Sequence, residues 1–283
     1  MNIWQVGDVR ITRIVEVEAM GGTRFILPQA TPETIRPIDW MVPHFATPEG
    51  KLIMSIHALV IDTGSRRIVV DTCLGNDKKR KVSAWNMLQT SFLADLEAAG
   101  YPRTSIDTVL CTHLHVDHVG WNTMLVDDEW VPTFPNARYF FGQREWDYSQ
   151  EASQAQFGDV ISDSVAPIVN AGLADFVEMD HRICEEVSLF PSPGHTPGHV
   201  CVAVRSGGKE AVITGDSIHH PCQIAHPEWS SAVDDDPDKA RRTREGFLKK
   251  YCNSDTLIIG THFATPTAGY LKRRDTGDYW LKT

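Results

Sequence analysis

Residues 112–120 read THLHVDHVG and place three histidines and one aspartate within six positions. They directly follow residues 106–111, an apolar run that predicts a buried strand. Imidazole and carboxylate groups suit Zn²⁺ and related divalent ions, and the lack of cysteine in the cluster argues against a thiolate-type structural zinc site. The stretch therefore predicts a metal site at the end of a strand.

The spacing within this cluster predicts two metals rather than one. His113 and His115 can converge on one ion, whereas Asp117 and His118 come after a turn and face a different position. One ion cannot easily take all four ligands from so short a segment. The remaining ligands must then come from elsewhere in the chain. The alternative is a histidine-rich loop that arose by chance.

Three further candidate ligands follow apolar strands later in the chain. His195 lies in a turn-rich loop after a short predicted strand, and Asp216 and His262 each end an apolar run. Ligands at strand ends can gather along one edge of a pair of packed sheets. Together with the first cluster, they give five histidines and two aspartates.

The composition is that of an ordinary soluble globular protein, with 283 residues of which 42% are hydrophobic and 23% charged. The formal net charge of -10 would repel a phosphate backbone, so we expect no nucleic-acid partner. Six scattered cysteines without a C-x-x-C pair favour reduced thiols. The sequence shows no secretory signal and no apolar run near the ~18 residues of a membrane span, so we expect a cytoplasmic protein without a membrane partner.

The hydrophobic pattern predicts strands together with helices that have a single apolar face. Residues 52–62 and 66–71 are predicted to form a hairpin, residues 87–99 a helix, and residues 238–251 a charged amphipathic helix. Each half of the chain runs through strands and a helix to a strand that ends in ligands. This plan predicts two sheets packed face to face with helices outside, in one domain spanning 1–283.

Residues 21–50 differ from the rest because they contain five prolines and little periodicity. A loop of this length in a compact domain is usually functional or disordered. The segment holds Trp40, Met41, Val42 and Phe45, which disordered tails tend to lack. We therefore expect an extended arm near the active site that covers the substrate. The alternative is an arm packed on the surface or on a partner subunit, which makes a homodimer reasonable.

The combined pattern resembles the metallo-β-lactamase superfamily, whose H-x-H-x-D-H motif is matched residue for residue by positions 113–118. The later histidine, aspartate and histidine of that family match His195, Asp216 and His262 in order. The resemblance covers nearly the whole chain and implies a four-layer αββα sandwich of two mixed β-sheets flanked by helices. It implies that the metal ligands are His113, His115 and His195 on one ion and Asp117, His118 and His262 on the other, with Asp216 bridging the two.

The resemblance also assigns a role to Asp71, which matches the family's aspartate below the metal site. There it would accept a hydrogen bond that fixes a ligand imidazole. The alternative is a carboxylate that only stabilises a turn.

Two divalent ions about 3.5 to 4 Å apart can share a water and lower its pKa from about 15.7 towards ~7. The resulting metal-bridging hydroxide would be the nucleophile, and one ion would polarise the oxygen of the substrate. Asp117 is the best candidate to orient this nucleophile and move its proton. Zn is the expected metal, although the same ligands accept Fe, Mn or Co.

Within the superfamily, the chain resembles stand-alone hydrolases that include N-acyl-homoserine lactone lactonases and methyl-parathion-hydrolase-like enzymes. Residues 71–76 and 118–122 have close counterparts there. Some quorum-quenching lactonases place a tyrosine three residues after the bridging aspartate, where it bonds the substrate carbonyl. This chain has His219 instead, an imidazole that can donate there or act as the acid for the leaving alkoxide. The alternative is a structural role for His219 in its loop.

We therefore expect a dinuclear hydrolase whose partner is a small-molecule lactone or carboxylic ester. Antibiotic hydrolysis is set aside because true β-lactamases of this fold lack the bridging aspartate that Asp216 provides. The alternative reaction is hydrolysis of a phosphotriester or phosphodiester by the same two ions. An alternative from another class is a non-catalytic metal or ligand sensor.

Overall fold

The computed structural model describes residues 2–21, 25–151 and 157–283. The chain forms two compact units. Unit 1 comprises residues 3–16 and 56–179, and unit 2 comprises residues 17–55 and 180–283 together with Asn2. That 1–283 is a single domain stays a prediction.

The first sheet contains seven strands in the order β1-β2-β3-β4-β5-β8-β9, and a separate hairpin pairs β6 with β7. Strands β3 and β4 are antiparallel neighbours, which confirms the hairpin predicted from residues 52–71. Strands β4, β5, β8 and β9 are parallel to one another. In chain order, these strands are β1 (Ile3–Val6), β2 (Val9–Met20), β3 (Ile53–Asp62), β4 (Arg67–Val70), β5 (Thr108–Leu110), β6 (Thr123–Val126), β7 (Glu129–Pro132), β8 (Arg138–Gly142) and β9 (Ala174–Val177).

The second sheet contains six strands that follow one another in chain order. Only β12 and β13 pair in parallel, so this sheet is also mixed. The sequence analysis missed its last two strands. The six are β10 (Val187–Pro191), β11 (Val200–Ser206), β12 (Lys209–Ile213), β13 (Leu257–Ile259), β14 (Ala268–Arg273) and β15 (Tyr279–Lys282).

The α-helices of the described residues are mostly short, and none of them is long and apolar enough to cross a membrane. They are α1 (Pro32–Ile35), α2 (Phe92–Ala98), α3 (Gln143–Glu151), α4 (Val160–Ser164), α5 (Ala166–Asn170), α6 (Cys222–Ala225) and α7 (Pro237–Tyr251). Two mixed sheets with helices confirm the predicted α/β class.

Helices α7 and α2 differ in how well the sequence located their first residues. Helix α7 begins at Pro237, one residue before the predicted range, because Pro237 occupies its first turn and the Asp236 side chain accepts a hydrogen bond from Lys239 N at 2.9 Å. Helix α2 begins at Phe92, so the predicted start at residue 87 was wrong. Met87 has a φ of 53° and its N–H donates to Lys78 O, which excludes it from a helix.

The described part of the proline-rich segment, residues 25–50, packs into the core of unit 2. Leu27, Ile35, Met41 and Phe45 are each at most 1% exposed. They share one apolar cluster with residues of α7 and β13. Removal of this apolar surface from water holds the segment in place. Met41 and Phe45, which the sequence analysis assigned to a substrate-covering arm, therefore serve as core residues.

In unit 1, backbone hydrogen bonds connect the loop after β4 with the loop that carries the ligand cluster. Thr72 N donates to His118 O, Gly120 N to Cys73 O, and Trp121 N to Thr72 O, each at 2.7 Å. A β-carbon on Gly120 would lie 1.9 Å from the carbonyl carbon of Leu74. Only glycine allows this approach, so Gly120 sets how closely the two loops pack.

Glu16 of β2 forms hydrogen bonds with both of these loops from a half-buried position. Its carboxylate accepts hydrogen bonds from Leu74 N at 2.7 Å and from Trp121 Nε1 at 2.6 Å. Burial raises the pKa of this carboxyl, and the hydrogen bonds from Leu74, Trp121, Gly75 and Thr90 oppose that shift. Glu16 thus satisfies donors of both loops at once.

Replacing Gly120 with alanine should force these loops apart. We expect Gly120→Ala to lower the free energy of unfolding by about 3 kcal/mol, because the new methyl group meets backbone atoms that cannot yield locally. Urea denaturation of the purified protein measures the change. Gly246→Ala in α7 is the matched control, since a β-carbon at that position would have no atom within 4 Å and alanine should stabilise the helix by up to about 1 kcal/mol. Equal unfolding midpoints for Gly120→Ala and the wild type would contradict the role of Gly120.

Candidate functional site

The register of the first sheet brings Asp71 to the start of the histidine cluster. Val70 of β4 pairs with Leu110 of β5, so both strands end at the same edge. The Asp71 carboxylate accepts hydrogen bonds from Thr112 N at 2.8 Å and from Thr112 Oγ1 at 2.9 Å. Its Oδ2 also lies 3.0 Å from Nδ1 of His118. Asp71 therefore lies beside Nδ1 of His118, which is a predicted ligand. The family resemblance implies this position for Asp71.

The four predicted ligands of unit 1 lie together after β5. The ring centroid of His113 lies 4.6 Å from that of His115 and 4.0 Å from that of His118. Nε2 of His118 lies 3.6 Å from Oδ1 of Asp117. His113 and His118 are fully buried, whereas His115 and Asp117 are half-buried. Such a concentration of buried polar groups is costly unless they share partners or a cation.

In unit 2 three imidazoles surround one carboxylate. Oδ2 of Asp216 lies 3.5 Å from Nε2 of His195 and 3.3 Å from Nε2 of His219, and Oδ1 lies 3.2 Å from Nε2 of His262. All four side chains are buried. The ligand atoms of His195, Asp216 and His219 lie within 4.8 Å of one another, as metal-binding groups do. The unit thus brings its three predicted ligands together with the predicted catalytic residue His219.

The outer nitrogens of two of these imidazoles face hydrogen-bond acceptors. Nδ1 of His262 lies 3.0 Å from the carbonyl oxygen of Ser55, and Nδ1 of His195 lies 3.0 Å from Oδ1 of Asp234. A carbonyl oxygen only accepts, so Nδ1 of His262 carries a proton. In a neutral ring the lone pair is then on Nε2, which lies 3.2 Å from Oδ1 of Asp216. A nitrogen lone pair and a carboxylate oxygen at this distance need a proton or a cation between them, and this donor set fits a divalent metal.

His219 and His220 are neighbours with different surroundings. His219 N donates to Gln223 Oε1 at 2.8 Å, which fixes the backbone of His219 while its ring faces Asp216. His220 instead accepts from Cys222 N at 3.1 Å and lies 3.0 Å from Phe45 O. Burial lowers the pKa of His220 to about 4, so this ring stays neutral and structural.

Two residues near the unit 2 ligands were not among the predicted site residues: the sequence indicates a structural role for His199, and it did not single out Asp234. His199 accepts a hydrogen bond from Asp216 N at 2.8 Å through Nε2, while its Nδ1 lies 2.8 Å from Ser192 Oγ. Asp234 contacts His195 as described above. The three aspartates before Pro237 predict the start of a helix, and this prediction explains the role of Asp236 but not that of Asp234. The role of Asp234 depends on a loop that is distant in sequence, which no local pattern reveals.

Clustered histidines and aspartates at strand ends, in a fold of two mixed sheets with helices, define a class of metal-binding α/β proteins. The chain belongs to the Metallo-beta-lactamase superfamily, whose family model matches residues 54–262. This confirms the family and the fold class expected from the motif. The ligand roles of individual residues stay predictions.

Solved structures of this fold superpose on the full length of the chain. A hydrolase of the beta lactamase superfamily named AbOPH has a TM-score of 0.80 at 24% sequence identity, covering 100% of this chain and 97% of that one. The dizinc quorum-quenching lactonase AidC, in complex with a product, has a TM-score of 0.79 at 20% identity with the same coverage. At these identities the likeness establishes the fold alone.

Curated relatives match over a shorter stretch. A probable metallo-hydrolase of Mycobacterium tuberculosis is 26% identical over 177 residues, which is 58% of this chain and 57% of the relative. The chain therefore spans less than two thirds of the length of that relative.

Removing the His199 imidazole should leave the buried N–H of Asp216 without an acceptor. We expect His199→Ala to lower the free energy of unfolding by about 1 to 3 kcal/mol, the cost of an unsatisfied buried donor. Urea denaturation gives the value, and His44→Ala, which removes an exposed imidazole, should stay within about 0.5 kcal/mol of the wild type. Equal destabilisation by both substitutions would argue against this hydrogen bond.

Proposed function

We propose that the chain is a metal-dependent hydrolase that uses two divalent ions to open a lactone or cleave a carboxylic ester. The observation that carries the proposal is the Asp216 carboxylate with three imidazole nitrogens directed at it. The contact of Nδ1 of His262 with Ser55 O leaves Nε2 as the atom that can bind a metal. The Metallo-beta-lactamase family match adds support from the chain as a whole.

The donor set of nitrogen and oxygen atoms fits Zn²⁺ and also accepts Fe, Mn or Co. We favour zinc because a dizinc lactonase shares the fold. In this proposal the ligands of the first ion are His113, His115 and His195, those of the second are Asp117, His118 and His262, and Asp216 serves both.

The bound ions would supply a water of lowered pKa and polarise the substrate carbonyl. The chain's own residues orient the reactants and move protons. The Asp117 side chain is 15% exposed, so it can take a proton from the attacking water and pass it to solvent. The His219 imidazole donates a proton to the leaving alkoxide, while Asp71 holds the ring of His118 in a fixed orientation. The products are a carboxylate and an alcohol, which in a lactone stay on one molecule.

A neutral substrate agrees with the charge of the protein. The formal net charge of -10 disfavours an anionic phosphodiester but does not affect an uncharged lactone or ester. A phosphotriester is also uncharged, so hydrolysis of phosphotriesters is the competing activity in the tests below. Among structures with this fold, AidC was solved with N-hexanoyl-L-homoserine as a product, which makes N-acyl-homoserine lactones the first substrates to examine.

The purified protein should contain two metal ions per chain by elemental mass spectrometry. His118→Ala and Asp216→Asn should each reduce this content, because each removes a proposed ligand whose side chain is buried among the others. His44→Ala removes an exposed imidazole and should retain both ions. A wild-type content of one ion per chain would contradict the paired site.

The acid role proposed for His219 predicts a dependence on the leaving group. We expect His219→Phe to lower kcat about 100-fold on homoserine lactones and alkyl esters, with KM nearly unchanged, and to affect p-nitrophenyl esters much less, because their leaving group needs no proton. His219→Tyr, which introduces the residue found in some lactonases, should recover part of the lactonase rate. Steady-state kinetics on lactones, p-nitrophenyl esters and paraoxon-type triesters test both proposals. Turnover of phosphoesters alone would exclude the lactone and ester assignment.

A further inference from the structure

We infer that Asp234 is a positioning residue that orients His195 as a metal ligand. It would do in unit 2 what Asp71 is proposed to do for His118 in unit 1. The inference rests on the proposed metal site and extends it to a residue outside the ligand set.

The contact between the two side chains is short and shielded from water. Oδ1 of Asp234 lies 3.0 Å from Nδ1 of His195, and both side chains are 0% exposed. The pair of Asp71 and His118 has the same separation of 3.0 Å and nearly the same burial. A buried carboxylate on Nδ1 of a histidine fixes the ring orientation and leaves Nε2 as the ligand atom. In His195 that atom is the one nearest Asp216.

The carboxylate of Asp234 is itself held in place. Its Oδ2 accepts a hydrogen bond from Ser231 N at 2.8 Å. The loop that carries it is fixed in turn by the carbonyl of Ile26, which accepts from Ser231 Oγ at 3.0 Å and from Ala232 N at 2.8 Å. The packed segment 25–50 therefore helps to fix the position of Asp234.

Backbone contacts keep His195 and Asp234 in register independently of their side chains. Asp235 N donates to His195 O at 3.0 Å, and Asp236 N donates to Gly194 O at 2.9 Å. A β-carbon on Gly194 would lie 2.2 Å from Ala240 N, so the histidine loop sits directly against the start of α7. Replacing the Asp234 carboxylate should leave these contacts intact, which allows the orienting role to be tested apart from folding.

The alternative for Asp234 is a purely local role, in which Oδ2 stabilises the turn at Ser231 and the contact to His195 is incidental. The two roles differ in what an isosteric change does. Asp234→Asn keeps a side-chain group for the turn but removes the negative charge from Nδ1 of His195. An orienting role therefore predicts a metal-binding defect in a protein of near-normal stability, whereas a local role predicts no change in metal binding.

The test is chelator competition on the full-length zinc-loaded protein. We expect Asp234→Asn to weaken the binding of one of the two ions by roughly 10- to 100-fold. Asp71→Asn should weaken the binding of one ion to a similar extent. Asp234→Ala should weaken binding at least as much as Asp234→Asn does. Asp238→Asn, an exposed carboxylate in the first turn of α7, is the matched control and should bind both ions as the wild type does. In cobalt-substituted protein, Asp234→Asn and Asp71→Asn should each shift the visible absorption bands.

A double-mutant cycle with His195→Ala separates the inference from general loss of structure. If Asp234 acts through His195, Asp234→Asn adds no further loss of metal affinity once His195 is absent. Wild-type affinity for both ions in Asp234→Asn, with a defect in Asp71→Asn, would overturn the inference and leave the proposed function standing. A wild-type protein that binds no metal would overturn both.

Discussion

Parallel pairing between neighbouring strands determines where the candidate ligands stand. In the second sheet Ile213 of β12 is opposite Ile259 of β13, and Asp216 and His262 each follow three residues later. In the first sheet, the pairing of β4 with β5 ends both strands at one edge, just before Asp71 and the histidine cluster. A slip of one residue in either register would turn the side chains to the opposite face. The chemistry of each unit thus depends on how apolar strands align.

Alignment alone would leave buried imidazoles with several possible orientations, and the acceptor groups that face their outer nitrogens select among them. Ser55 O faces His262, Asp234 faces His195, and Asp71 faces His118. His199 extends the same principle to the backbone, because it accepts from the N–H of Asp216. The acceptors come from a carbonyl, from carboxylates and from a neutral ring, so no single residue type marks them in the sequence.

The sequence predicted those parts of the molecule that short-range patterns encode. The motif at residues 113–118 identified the family, and alternation of apolar residues gave the hairpin of β3 and β4. Strand β14 was missed because Gly269 and two basic residues interrupt its pattern, while pairing with β13 and β15 stabilises it. Asp234 was missed for a related reason, since its partner lies 39 positions away. Contacts between distant segments decide such cases, and a single sequence does not display them.

Unit 2 consists of two segments that are far apart in the chain, which affects how it can fold during synthesis. Its first portion, residues 17–55, emerges from the ribosome before the 124 residues of unit 1 that separate it from the portion beginning at residue 180. Met41 and Phe45 share their buried cluster with Phe247 and Ile258, which are synthesised near the end of the chain, so the cluster is incomplete until then. Nascent chains with exposed apolar segments are prone to aggregation and are the usual clients of chaperones. The formation of contacts between the two distant segments of unit 2 would therefore be the slow step of folding.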